Sequence, residues 1–381
     1  MAAKPTARHS ANITFHDHLV LNRWLLSLFH KQDLPTLKAQ MGGDDYEGLA
    51  QDGQSRFFHQ LTGVLFFGEG TGLSEADLRR YDLNVVRHWQ AVTARRNRHS
   101  GHELQMKYFQ YLSLIFSEVY LDWYFNRRDR LLAELNAQLN RYRENLGAEA
   151  KNFSPYAEQE LNKIAFWNAT GSGKTLLMHV NILQYLSYFS DGTGRGKPDK
   201  IIVLTPNEGL SRQHVAELAL SGFQTALFDK NGQARNYTLN IDDLNSIEAE
   251  VIDVNKLADK AGDKTVAAEH FAGNNLVLVD EGHRGSSGEE WLKRRDVLVR
   301  GGFSFEYSAT LGQAAGKGKT LADTRFEQQK KNALAHFGAA RQSDLSKEQK
   351  ALIPALPLTP AAGANGTADG GHGNLCENGA V

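Results

Sequence analysis

A short apolar run, Ile164-Ala165-Phe166-Trp167, leads without a break into Asn168-Ala169-Thr170-Gly171-Ser172-Gly173-Lys174-Thr175. Directly after it, Leu176, Val180 and Leu183 share one face of a helical pattern. Strand, glycine-rich turn and helix in immediate succession leave few folds open, because such a turn belongs at the end of a strand in an α/β sheet. Gly171 and Gly173 let the backbone curl so that several N–H groups point inward. The start of the helix adds its positive dipole end. A concavity of this kind suits a polyphosphate: Lys174 bridges β- and γ-phosphate oxygens, and the Thr175 hydroxyl ligates Mg²⁺. The pattern predicts a nucleoside triphosphate site, ATP with Mg²⁺, formed by Thr170, Gly171, Ser172, Gly173, Lys174 and Thr175. The general form of this turn opens on a glycine, and here Asn168 stands in that place.

A chain of 381 residues has room for two domains. Lys and Arg number 43 against 44 Asp and Glu, so a nucleic-acid surface must be a local patch rather than a global field. The single cysteine, Cys376, excludes an intramolecular disulfide framework and fits a reducing cytoplasm. Met1 to His18 has no continuous apolar core, which argues against a secretory signal. The most apolar stretch, Tyr108 to Phe125, is broken by Gln110, Ser113, Ser117, Glu118 and Asp122, so no membrane span is expected. A soluble, cytoplasmic protein is the resulting expectation.

Residues 1–150 read as mostly helical. Tyr108, Leu112, Ile115, Val119 and Trp123 recur at helical spacing, and a second helix is predicted from Arg127 to Leu146. After Ala150 the texture changes. Ile164 to Trp167, Ile201 to Thr205, Val251 to Val254, Leu276 to Val279 and Phe303 to Tyr307 read as strands buried on both faces of a parallel sheet. Helical patterns lie between them at Thr175 to Phe189, Leu210 to Leu220 and Gly288 to Val299. The expected fold is therefore α/β: one lobe over residues 151–325, a parallel sheet with helices on both faces, preceded by a helical region. Residues 326–381 are expected to hold a polar helix, Glu327 to Lys350, and then an Ala/Gly/Pro-rich disordered tail from Pro354.

A second element carries chemistry. Asn275-Leu276-Val277-Leu278-Val279-Asp280-Glu281-Gly282-His283 is an apolar strand ending in two carboxylates. In a parallel sheet its C-terminal end lies on the same side as the phosphate turn. There Asp280 can hold the Mg²⁺ shell, and Glu281 can polarise an attacking water. Arg87, Arg95, Arg96 and Arg98, with His88, His99 and His102, form a basic run that reads either as a solvated loop or as a grip on a DNA backbone.

Jointly these residues resemble the superfamily 2 DEAD/DEAH-box helicases, with a RecA-like lobe. Asn168 to Thr175 is similar to motif I, and Asp280-Glu281-Gly282-His283 looks like motif II with Gly in place of Ala. Ser308-Ala309-Thr310 resembles motif III, and Thr205-Pro206-Asn207 with Leu210 and Gln213 is similar to motif Ia. The resemblance covers about residues 100 to 325 and leans toward the type III restriction enzyme Res subunit. It implies that His283 senses the γ-phosphate or contacts a second lobe. By the same likeness Ser308 and Thr310 couple nucleotide state to DNA, and Thr205 and Pro206 touch DNA phosphates. Leu104 to Gln110 resembles the adenine-reading segment, so Gln110 is either an adenine reader or a polar residue on a core helix.

Such enzymes need arginines from a second lobe to stabilise the transferring phosphoryl group. Between Leu311 and Val381 the arginines are Arg325 and Arg341, neither in a Gln-x-x-Gly-Arg-x-x-Arg setting. The expectation is a truncated or frame-shifted product, or a partner chain that supplies the second lobe; a methyltransferase subunit is a further possible partner. Weak ATP hydrolysis by the lobe alone follows. A non-catalytic nucleotide-binding module and a P-loop enzyme of another class are the alternatives.

Overall fold

The computed structural model describes residues 19–29, 34–64, 73–146, 154–169, 171–193, 197–228, 242–258, 265–281, 289–308 and 333–337. Six helices come first: α1 (Val20–Leu28), α2 (Leu34–Met41), α3 (Arg56–Val64), α4 (Glu75–Ser100), α5 (Tyr108–Asn126) and α6 (Arg128–Leu146). Strands and helices then alternate through β1 (Lys163–Asn168), α7 (Lys174–Thr193), β2 (Ile201–Thr205), α8 (Glu208–Ser221), β3 (Gln224–Leu227) and β4 (Glu248–Asp253). A two-strand ladder, β5 (Leu257–Ala258) with β6 (Val266–Ala267), precedes β7 (Leu276–Asp280), α9 (Glu289–Leu298), β8 (Phe303–Ser308) and β9 (Ala333–Phe337).

The main sheet has seven strands in the order β3-β4-β2-β7-β8-β1-β9, and every pairing is parallel. All C-terminal strand ends therefore lie along one edge. Alternation along each strand splits the core in two. Ile201, Val203, Leu276, Leu278, Phe303, Phe305 and Tyr307 join the cluster that also holds α1, α4, α5 and α7. Ile202, Leu204, Val277 and Val279 face the other way, with Leu298 and Val299 at the end of α9. Helices thus cover both faces, and the N-terminal helices share a core with the sheet. Among the described residues, no helix is long and apolar enough to cross a membrane.

Aromatic rings fill the helical side. Phe303 sits between Tyr124, at 5.1 Å, and Tyr185, at 5.5 Å, while Phe166 stacks on Tyr307 at 5.0 Å. Each pair contributes about 0.5–1.5 kcal/mol beyond its buried area. A polar seam runs through the same layer. Tyr307 donates to Asn181 at 2.6 Å, Asn181 to Gln184 at 2.7 Å, and Gln184 to Glu118 at 2.8 Å. Tyr188 and Asn84 also donate to Glu118, at 2.7 and 3.2 Å.

Burial pushes the Glu118 carboxyl up to about 7, against the pull of its hydrogen bonds and of the Arg80 charge. An acid whose pKa is raised by folding contributes fully below its unfolded value, here 4.5, and loses that contribution as pH rises through the folded value. Glu118→Gln removes the titration. Between pH 5 and pH 8 the wild-type Tm should fall by a few degrees relative to this variant. Parallel melting profiles would show that Glu118 keeps an ordinary pKa.

Three local outcomes differ from the sequence-based expectation. The segment expected to hold a polar helix, Glu327 to Lys350, contributes the strand β9, which pairs with the outer side of β1. Without it, that edge of β1 presents unpaired N–H and C=O groups, and a parallel strand satisfies them. Strand β3 was not foreseen, and β4 begins at Glu248 rather than Val251. The basic run from Arg87 to His99 is no loop: it lies on α4, which opens on a Ser74/Asp77 capping box. The disordered tail expected from Pro354 lies outside the described residues.

Candidate functional site

Strand β1 ends at Asn168, and the turn that follows brings two glycines to positive φ, Gly171 at 78° and Gly173 at 81°. Residues with a Cβ adopt this region only at a cost. The Ser172 N–H donates to the Ala169 carbonyl at 3.2 Å, and the Leu177 N–H to the Gly173 carbonyl at 3.1 Å, so the turn closes directly onto α7. Lys174 and Thr175 open that 20-residue helix, at its positive end. The Ser172 hydroxyl is buried with no partner among the described residues. Asn168 needs no glycine, because it belongs to a strand and pairs with Phe337. Both atoms of its buried amide also lack a described partner.

The start of α5 straps the turn. Gln110 donates from Nε2 to the Ser172 carbonyl at 3.0 Å and accepts the Lys107 N–H on Oε1 at 2.9 Å. Lys107 is tied in turn to Glu47, with contacts of 2.7 and 2.8 Å. A Cβ on Gly173 would come within 2.5 Å of Gln110 Nε2, so strap and turn fit only with glycine there. Gln110 therefore lies beside the phosphate turn, with both ends of its amide engaged by protein.

Strand β7 ends at Asp280, and β8 separates it from β1. Over that gap Lys174 Nζ approaches Glu281 Oε1 at 3.8 Å. Glu281 takes a positive φ of 51°, the one non-glycine residue to do so among the described residues. Such a conformation costs roughly 1–3 kcal/mol and persists where surrounding structure imposes it. Asp280 Oδ2 meets His214 Nε2 of α8 at 2.9 Å, and Oδ1 accepts the Glu281 N–H at 3.0 Å. Burial alone would raise the Asp280 carboxyl. The hydrogen bond from His214, the His214 and Lys174 charges and the Glu281 N–H outweigh it and hold the group below the usual carboxylate range.

Ser308 is buried at the end of β8, between the two motif strands, in register with Trp167. Thr205 is also buried: its hydroxyl pairs with that of Ser211, and Asn207 caps α8 by accepting the Leu210 N–H at 2.9 Å. The Thr205 side chain thus belongs to the turn, and the backbone of Pro206 accepts from Asn255 at 3.3 Å. Thr170, His283 and Thr310 lie outside the described residues. The basic run does not form one patch. Arg95 and Arg96 bond to carbonyls of α8, and His88 is buried, its pKa pushed down to about 3 by burial and by Arg87. His214 was not singled out from sequence. Its partner is 66 positions away, and no local pattern marks the pairing.

A parallel α/β sheet with a glycine turn and lysine-headed helix after one strand, and an acid pair after another, defines a P-loop nucleotide-binding lobe. Residues 130–312 match the family of the type III restriction enzyme, res subunit, and this segment is a superfamily 2 helicase-type domain. The matched segment holds β1 through β8 and leaves out α5 with Gln110. No curated protein matches the chain.

Proposed function

We propose that this chain is the ATP-binding first lobe of a DNA translocase or helicase from a restriction-type system. The observation that carries the reading is the approach of Lys174 to Glu281 across the strand ends, at 3.8 Å. The residues present suit Mg²⁺ and a triphosphate: a turn that a Cβ would fill, a buried Ser172 hydroxyl with no partner among the described residues, and an Asp280 held in its charged form. Thr175 and Asp280 would hold the ion. When bound, Mg²⁺ supplies neutralisation of charge on the β- and γ-phosphates.

The chain's own groups divide the remaining work. The turn N–H groups and Lys174 take the phosphate oxygens. Once Lys174 turns to phosphate, its contact with Glu281 is released, and the Glu281 carboxylate can accept a proton from the attacking water. Gln110, whose amide already meets the Ser172 carbonyl and the Lys107 N–H, would respond to the base through its second N–H and its remaining lone pair. DNA contact falls to the backbone N–H groups that follow Pro206 at the start of α8, because the Thr205 hydroxyl is committed to Ser211. Ser308, Thr310 and His283 couple the two sites. Arginines that stabilise the transferring phosphoryl group come from a second lobe, so hydrolysis by this lobe alone is slow.

ATP turnover by the full chain, with and without duplex or single-stranded DNA, tests the proposal beside Lys174→Ala. DNA-stimulated turnover that falls about 100-fold in the variant is the expected result. Nucleotide binding without turnover would make this a non-catalytic binding module, and DNA-independent turnover would remove the translocase reading.

A further inference from the structure

We propose that His214 is a positioning residue, which orients the Asp280 carboxylate from α8; the inference rests on the Mg²⁺–ATP reading of the site. One oxygen of Asp280 is held by the imidazole at 2.9 Å and the other by the Glu281 N–H at 3.0 Å. Two fixed points define the plane of the carboxylate and leave one lone-pair direction on each oxygen open. Groups that orient a metal-holding carboxylate from behind are as consequential for affinity as the groups in contact.

The imidazole itself is fixed by the helix that carries it. Asn207 caps the start of α8. Near its end, Arg95 donates to the Ala219 carbonyl at 2.9 Å, and Arg96 to the Glu217 carbonyl at 2.9 Å and to its carboxylate at 2.6 Å. Both arginines come from α4, so the N-terminal helices set where His214 stands. His214 is buried, and its Nδ1 has no partner among the described residues. A buried, unpartnered ring nitrogen works against stability. Leucine at this position would relieve that cost and leave Asp280 Oδ2 without the imidazole. The bond to Asp280 is the contact that a histidine makes here and an apolar side chain does not.

The test is the Mg²⁺ dependence of nucleotide binding by the full chain, read from the fluorescence of N-methylanthraniloyl-ATP as MgCl₂ is added. His214→Leu should raise the Mg²⁺ midpoint about tenfold or more. Binding of the same probe in EDTA should stay within about twofold, because the phosphate turn is untouched. His214→Gln carries an amide N–H near the Nε2 position and should return the midpoint to within about threefold of wild type. Should the leucine chain fail to fold, His214→Phe keeps a ring without nitrogen and is expected to give the same tenfold rise. A folded leucine or phenylalanine variant with a wild-type midpoint overturns the proposal, as does glutamine behaving like leucine. Wild-type chain that binds the probe without regard to Mg²⁺ overturns the Mg²⁺–ATP reading, and this inference with it.

Discussion

Glu281→Gln is expected to leave nucleotide binding within a few-fold of wild type and to lower ATP turnover by about 10²–10⁴-fold. Glutamine keeps the size of the side chain and its ability to meet Lys174, now through a carbonyl oxygen. What it loses is the basicity needed to accept a proton from water. The backbone at this position already sits at a positive φ of 51°, which both residues tolerate to a similar degree, so the variant should not disturb the strand end. A parallel readout of binding and turnover separates the chemical role from a structural one. Equal loss of both would mean that Glu281 holds the turn together rather than acting on water. Turnover unchanged from wild type would remove Glu281 from the mechanism altogether.

Gly173→Val should abolish detectable nucleotide binding while the chain stays folded. Two effects act together. The residue sits at φ 81°, where a β-branched side chain is a true outlier. Its Cβ would also come within 2.5 Å of Gln110 Nε2, which is pinned by the Ser172 carbonyl and the Lys107 N–H. Relief of either effect means rotating the turn, and the inward N–H groups rotate with it. Adding Gln110→Ala removes the overlap and leaves the φ strain, so the binding recovered in the double variant apportions the two. Binding by the single variant at the wild-type level would show that the turn is not the phosphate site.

The two motif strands were legible because each is an apolar run that ends in a chemically distinctive group. Ile164 to Trp167 and Leu276 to Val279 became β1 and β7, and Lys174 and Glu281 meet where the parallel reading put them. The edges were not legible. Gln224–Leu227 is four residues long with partial exposure, too short to show a pattern, and its pairing with β4 makes it a strand. Ala333–Phe337 read as part of a polar helix because local propensity was the signal to hand, and the edge of β1 decides otherwise. The basic run looked like a surface feature because charge was visible and geometry was not. Helix α4 turns Arg96 onto α8 and buries His88 in the core. Asn168 stood out as a departure from the usual glycine, yet as a strand residue it needs no special φ. His214 stayed hidden for a simpler reason: its meaning lies in a partner across the sheet edge.

Equilibrium binding of N-methylanthraniloyl-ATP with Mg²⁺ to the wild-type chain and to Lys174→Ala is the most direct measurement of the claim that this turn is a nucleotide site. Saturable binding by the wild type, weakened at least about tenfold in a variant that melts at the same temperature, is the predicted result. Identical binding by the two chains, or none by a folded wild type, would contradict it.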